Sequence, residues 1–406
     1  MVRFRKLYSL FARFLEKRMK NCIAKNSPFP ESIKILYLTN TPRSSHDWRF
    51  LSTMVSRGYK VYAVYYCLLG GDYLVEGTEK FSLGYENYIN RGKAQKILGH
   101  FLALIHLRKV LRQTKPDLLH AGQVNTCGFI SALSNYHPFL LMPWGSDILL
   151  VPKTSWLGKK ITKFTIKKAD LITCDAEAVK QEIINLTGYP PNKIIVFPWG
   201  IDLSLFKPTF PLREKLRREL GIEDRKVIIM NRSFKRVYGI EYFLKALPRV
   251  WAKVPDVYVL LLGSGPLEKE LRKIVEGLKI EPIVKFIGEV PYDEMPAYLN
   301  ASDLYVSSSL SDGTSVSLLE AMACGLPVVV TDVPAILEWV ENGVNGLVVP
   351  RRSIDELADA IVYLLQHEDI RKEMGEKNIA IAKERADWDK NFNKLEQMYQ
   401  MLISNR

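Results

Sequence analysis

The chain is predicted to be an α/β protein made of two similar, doubly wound, Rossmann-like domains facing across a cleft. Its 406 residues exceed what one core usually supports. Strand-like apolar runs alternate with helical patterns throughout, and one series of them occupies each half. An apolar content of 47% and a charged content of 25% are those of a globular protein.

In the first half the predicted strands are Ile33–Leu38, Lys60–Tyr65, Leu118–Leu119, Phe139–Met142, Leu171–Thr173 and Ile194–Val196. In the second they are Val227–Met230, Val257–Leu261, Val284–Ile287, Leu304–Val306, Val328–Val330 and Gly346–Val349. Between the halves, Ile201 to about Asp224 holds prolines and mixed charges and reads as a linker. The expected organisation is an N-terminal helix over 1–26, a first domain over 33–205, a second over 224–370 and closing helices over 371–406. Doubly wound domains bind ligands at the carboxyl ends of their strands.

The net charge of +13 is concentrated at one end. Residues 1–26 carry eight basic residues against the single acid Glu16. On a helical wheel Phe4, Leu7, Leu10, Phe11, Phe14, Leu15 and Met19 share an arc, opposite Arg5, Lys6, Arg13, Lys17 and Lys20, with Arg3 and Arg18 intruding on the apolar side. Such a segment suits a membrane interface with anionic headgroups, the alternative being a helix packed on the protein body. No apolar run approaches the roughly 18 to 20 residues of a membrane span, and Arg13 interrupts any signal-peptide core. Five scattered cysteines without a C-x-x-C pair fit a reducing compartment and give no zinc site. We therefore expect a cytoplasmic protein, peripheral at the cytoplasmic face of the membrane. Two further basic stripes, Lys159-Lys163-Lys167 and Lys93, Lys96, Arg108, Lys109 and Arg112 around Ile97, Phe101, Leu104 and Ile105, are either solvated faces or part of a membrane-facing first domain.

The stretch from Ser311 to Pro350 carries the most chemistry. Asp312 and Glu320 stand eight positions apart around the turn Gly313-Thr314-Ser315, and the residues that follow Val316 read as a helix ended by Gly325 and Pro327. A helix N-terminus beside Asp312 favours a phosphate, while carboxylates accept hydrogen bonds from sugar hydroxyls. Phosphate and hydroxyls together point to a nucleotide-sugar. The bland alternative is a surface turn capped by Asp312, with Glu320 solvated.

This stretch resembles the donor-site signature of retaining GT-B-fold glycosyltransferases, family 4, in which two glutamates flank seven residues and the second opens an E-A-x-A-x-G-x-P-V-V helix. Glu320, Ala321, Ala323, Gly325, Pro327, Val328 and Val329 fit, and Asp312 replaces the first glutamate. Weaker phrases follow in family order at Ala169–Ile172, Lys193–Asp202 and Asn300–Leu304, and the segment from Trp388 to Leu402 is similar to a closing helix that crosses back to the first domain. The resemblance implies transfer of a sugar from a UDP- or GDP-sugar to a glycan or lipid-linked acceptor. It also implies retention of configuration, the donor phosphate taking the acceptor proton on the same face.

Such a transfer needs fixed positive charge at the leaving phosphate. Asn231–Gly239 stands where the family carries its G-R-x-x-x-x-K-G clamp; Arg232 matches the Arg, and Tyr238 fills the Lys slot, so Lys235 or Arg236 is expected to reach in. The turn at Gly263 and Gly265, together with Gly288, is expected to approach the donor nucleotide, and Glu268 at the third-glycine position disfavours a dinucleotide fold. In the first domain Arg43, His120 and Gly145-Ser146-Asp147 follow predicted strands and are candidates for acceptor or catalytic contacts; the family often has a His where Trp144 stands. Asp387-Trp388-Asp389 reads as a helix cap rather than a metal motif. No metal or cofactor is expected. An epimerase or phosphorylase of the same architecture, or a basic binding protein, are the competing readings. Nucleic acid is disfavoured, because the charge is gathered in one amphipathic segment rather than on an aromatic-studded strand or groove helix.

Overall fold

The computed structural model describes residues 33–42, 45–68 and 74–404. The amphipathic segment 1–26 and Arg43 therefore lie outside the described residues. The first sheet contains β1 (Lys34–Thr39), β2 (Lys60–Tyr65), β3 (Glu79–Ser82), β4 (Leu118–Gly122), β5 (Phe139–Met142), β6 (Leu171–Cys174) and β7 (Ile194–Val196). The second contains β8 (Lys226–Asn231), β9 (Val257–Leu262), β10 (Val284–Gly288), β11 (Leu304–Ser307), β12 (Val328–Thr331) and β13 (Gly346–Val349).

The seven-stranded sheet runs β3-β2-β1-β4-β5-β6-β7 and the six-stranded one β10-β9-β8-β11-β12-β13. Pairing is parallel, with Leu36 beside Tyr62 and Leu119, and Ile228 beside Val259 and Leu304. Both are doubly wound Rossmann-like sheets, as expected. Strand order reverses between β1 and β4 in one and between β8 and β11 in the other, and the carboxyl ends at such a reversal form a natural ligand crevice.

The parallel sheets require both faces to be covered, and β8 shows how the sequence does it. Ile228 and Met230 enter one buried layer with Phe243, Leu244 and Ile361, whereas Val227 and Ile229 enter the other with Tyr305, Leu318 and Met322. A continuous apolar run thus feeds two cores at a strand's two-residue period.

The chain divides into two compact units. One comprises residues 1–173, 186–195 and 398–406, the other 174–185 and 196–397. The closing helix Trp388–Ser404 begins in the second unit and ends in the first, where the Tyr399 hydroxyl meets His120 Nδ1 at 2.8 Å. Its start is capped as expected, Lys390 N donating to Asp387 Oδ1 at 2.9 Å.

Two expectations are corrected. The supposed linker contains the helix Phe210–Leu220, docked on the second unit by Arg213 and Arg217, each 2.5 Å from a different oxygen of Asp303. Pairing across about ninety residues, rather than local propensity, orders it. Strand β3 was missed because Glu79-Lys80-Phe81-Ser82 is a half-exposed edge strand with no apolar run.

Candidate functional site

In the second unit the carboxyl ends of β8 and β11 and the turn before the helix Val316–Ala323 converge on one guanidinium. Arg232, the residue after β8, is buried. Its Nη1 donates to Ser315 Oγ at 2.6 Å and Ser317 Oγ at 2.9 Å, and its Nη2 donates to Asp312 Oδ2. Ser317 Oγ is also 2.9 Å from the buried Tyr305 hydroxyl on β11. The Tyr238 ring lies against the guanidinium, 3.9 Å from Cζ to centroid. Burial works against the charge, but the Asp312 carboxylate outweighs it, and the Arg232 pKa ends above its ordinary value. Arg232 is thus a permanently charged group fixed at the strand-order reversal.

Asp312, which stands in place of the first glutamate of the family signature, rests its carboxylate on Arg232. Burial raises its pKa, and the guanidinium, the Gly313 amide and Ser315 pull the other way. Ser315 precedes the helix and its hydroxyl accepts from Arg232 rather than from a helix amide, Val316 is half-buried at the helix start, and Glu320 is 6% exposed in its last turns. Burial first and the Glu320 carboxylate second push the Cys324 thiol up, which places Glu320 near the helix end that Gly325 terminates at φ +81°.

Several expected roles are reassigned by geometry. Lys235 and Arg236 are both exposed, and Arg236 Nη2 lies 3.3 Å from Glu270 Oε2. The group beside Arg232 is the Tyr238 ring itself. Thr314 is committed to the protein, its amide donating to Asp175 Oδ2 at 2.9 Å and its hydroxyl to the Asp175 carbonyl at 2.5 Å. Gly313 is required by the same neighbour, since a Cβ there would stand 2.6 Å from Asp175 Oδ2. Gly263 and Gly265 face the chain rather than open space: a Cβ on either would strike the Arg232 or Phe234 backbone, at 2.6 Å from Phe234 O for Gly265. Their lack of side chains lets the Arg232–Phe234 loop lie down on the β9 turn, where Phe234 N reaches Ser264 O at 2.8 Å. They therefore position Arg232. Gly288 has open space instead and is glycine for its φ of +89°.

In the first unit His120 and Asp147 are engaged by the protein itself. His120 lies inside β4, not after it, and is fully buried; burial lowers its pKa to about 3, so the ring is neutral and its Nδ1 is spent on Tyr399. Asp147 is buried with both oxygens engaged, Oδ2 by Val124 N at 2.8 Å and Oδ1 by Trp144 N at 2.9 Å. Burial, opposed by those amides, raises its pKa to about 6. Gly145 and Ser146 sit at the start of the short helix that Asp147 anchors, with only Ser146 exposed. Among the described residues no cluster of His, Cys, Asp and Glu is arranged to hold a metal ion.

Asp175, Ser317, Tyr238 and Tyr305 were not foreseen as site residues. Asp175 had a signal available, since it directly follows β6 as a polar residue after an apolar strand; Ser317 and Tyr305 gave none beyond helix and strand positions.

Residues 213–381 match the family model described as glycosyl transferases group 1, and residues 34–176 match that described as glycosyl transferase 4-like. Each half of the chain thus matches a glycosyltransferase family model, and its two Rossmann-like units have the GT-B fold. Every site residue around Arg232 except Asp175 falls inside the group 1 match. Among curated proteins the chain is 31% identical over 238 residues to N-acetyl-alpha-D-glucosaminyl L-malate synthase of Bacillus anthracis, an alignment covering 57% of this chain and 60% of that one. It is 27% identical over 213 residues to GDP-mannose-dependent alpha-(1-6)-phosphatidylinositol monomannoside mannosyltransferase of Mycobacterium tuberculosis strain H37Rv, covering 51% and 55%. The aligned stretches thus span little more than half the length of these relatives. Among solved structures, Alr3699/HepE of Anabaena in complex with UDP-glucose superposes with a TM-score of 0.78 at 21% identity, over 91% of this chain and all of that one, which shows the shared fold.

Proposed function

We propose that this chain transfers a sugar from a nucleoside-diphosphate donor to a glycan or lipid-linked acceptor with retention of anomeric configuration. The observation that carries the reading is Arg232, a buried permanent cation at the β8/β11 strand-order reversal beside the opening turn of the helix Val316–Ala323. In such a transfer the bond from the anomeric carbon to the donor phosphate breaks, a bond to the acceptor oxygen forms, and the acceptor proton passes to the departing phosphate on the same face. Charge accumulates on that phosphate, and a preorganised guanidinium stabilises it most where water is excluded. Ser315, Ser317 and Tyr238 hold the guanidinium's plane, Asp312 keeps it charged, and Glu320 is the acceptor for donor hydroxyls. We assign no metal to the reaction, Arg232 taking the electrostatic role. The segment 1–26 is the membrane contact that brings the enzyme to a lipid-linked acceptor at the cytoplasmic face.

The test is to incubate the protein with UDP- and GDP-sugars and a lipid extract, and to read the anomeric proton of any product by NMR. An α-linked product from an α-linked donor is expected. A β-linked product contradicts retention, and an isomerised donor without transfer favours the epimerase alternative.

A further inference from the structure

The helix Lys93–Thr114 leaves a row of large apolar side chains exposed among its cations. Ile97, Phe101 and Ile105 recur every four residues and are 70%, 60% and 45% exposed, with Leu98 exposed beside them. A second helix, Trp156–Lys168, leaves Trp156 and Leu157 71% and 60% exposed in its first turn. Large apolar side chains are exposed singly on most proteins; grouped on two elements they mark a contact surface.

These helices share a layer. Both pack on the short helix Phe129–Ser134: Arg108 Nη2 donates to Leu133 O at 2.8 Å, and Phe164 meets Phe129 edge-on at 5.9 Å between centroids. They lie on the crossovers β3→β4, β4→β5 and β5→β6, which all advance in the same direction across the sheet, so right-handed connection puts them on one face. A crossover helix starts near the carboxyl end of the strand before it. The N-terminal parts of the two helices, with Ile97, Leu98, Phe101, Trp156 and Leu157 in their first three turns, therefore sit toward the same edge, a placement supported by the hydrogen bond between the Tyr66 hydroxyl, just past β2, and His100 Nδ1.

Charge decides the occupant. Neither helix contains an Asp or Glu, and each contains five Lys or Arg. Lys160 Nζ lies 4.0 Å from the Trp156 ring centroid, so a cation and an aromatic ring present themselves together. A second copy docking through the same patch would press like charges together. An anionic lipid surface accepts exposed aliphatic and aromatic groups below its headgroups and the surrounding cations among its phosphates.

We propose that this helical layer of the first unit is a membrane-docking face, inserting Ile97, Phe101, Trp156 and Leu157 into an anionic bilayer interface with the carboxyl ends of β2 and β5 toward the lipid. Its residues are other than those of the segment 1–26, and the proposal does not depend on which sugar the second unit binds.

The full-length protein, wild type and Phe101→Asp/Trp156→Asp, is sedimented with phosphatidylcholine vesicles with and without about 30 mol % phosphatidylglycerol. Wild type is expected to bind the anionic vesicles preferentially, and the double variant to bind them at least about tenfold more weakly with an unchanged melting temperature, because both residues are exposed. Depth is read by adding lipids brominated along the acyl chain: they quench wild-type tryptophan fluorescence, and Trp156→Phe binds normally but loses the quenched component. Equal sedimentation of the double variant, equal binding to neutral vesicles, or no Trp156-dependent quenching overturns the proposal. A concentration-dependent dimer abolished by the double variant would assign the face to self-association instead. Nucleotide-induced thermal stabilisation, measured on the same proteins, reports the donor site separately, so failure of one reading is distinguishable from failure of the other.

Discussion

The polar residues at strand ends behave differently in the two units. In the second, Arg232, Asp312 and Ser315 come from segments about eighty residues apart and meet with the charge kept. In the first, His120 is neutral inside β4, and Asp147, in the short helix after β5, is saturated by two amides. A permanent cation in a ring of hydroxyls has the character the proposed transfer needs at its leaving phosphate. The neutral imidazole ties β4 to the closing helix through Tyr399, and the Asp147 carboxylate ties down the Val124 and Trp144 amides.

The largest expected effect separates these roles by kinetics. Arg232→Gln should lower kcat by about 10²- to 10³-fold with a much smaller rise in donor KM, whereas His120→Gln should leave kcat within about threefold and lose stability instead. Comparable losses of kcat from both would break the comparison. Arg232→Gln also leaves Asp312 buried without its partner, at a cost of about 3 kcal/mol in denaturant unfolding; adding Asp312→Asn should recover much of that stability without recovering activity.

Acid unfolding sharpens the contrast within the first unit. The folded His120 pKa of about 3 lies below the unfolded value near 6.5, so the unfolded chain takes up the proton first. Its contribution is present above about pH 6.5 and is lost as pH falls toward 3, by up to roughly 1.4 kcal/mol per pH unit. Asp147 has the opposite sign: its folded pKa of about 6 exceeds the unfolded value near 3.9, so its contribution is present at low pH and is lost as pH rises from about 4 to 6. The two slopes oppose each other between about pH 4 and 6. His120→Gln should remove the loss of stability on acidification, and Asp147→Asn should steepen it, both read from chemical denaturation at a series of pH values.

Smaller effects come from the groups that hold each residue. Tyr399→Phe removes the His120 partner and should cost about 1 kcal/mol with kcat unchanged. Tyr238→Leu strips the ring from the Arg232 guanidinium and should raise donor KM about threefold. Chelators should change turnover by less than twofold; an activity abolished by EDTA and restored by a divalent cation would contradict the metal-free assignment.

The strands and their grouping into two sheets were legible because buried parallel strands are near-continuous apolar runs: Lys60–Tyr65, Phe139–Met142 and Gly346–Val349 appear within the predicted limits. Edge strand β3 and the helix Phe210–Leu220 were not, since one lacks apolar residues and the other is ordered by Asp303 far along the chain. In the candidate site, the Arg232 position and the helix ended by Gly325 were readable from local pattern. What was not readable is which polar atom each residue spends on the protein: Asp175 on the Thr314 amide, Arg236 on Glu270, Gly263 and Gly265 on the Arg232–Phe234 backbone. Those partners are distant in sequence, and a single sequence carries no trace of their proximity.

The central claim is that the second unit holds a nucleotide-sugar donor against Arg232. The most direct measurement is thermal unfolding of wild type and Arg232→Gln with UDP, GDP and ADP and their sugar conjugates. Wild type should be stabilised by one base's nucleotide diphosphate and its sugar conjugate, and Arg232→Gln should lose much of the shift with the free diphosphate while keeping most of that with the sugar conjugate; a wild type that responds to none of them, or a variant whose diphosphate shift equals that of wild type, would contradict the account.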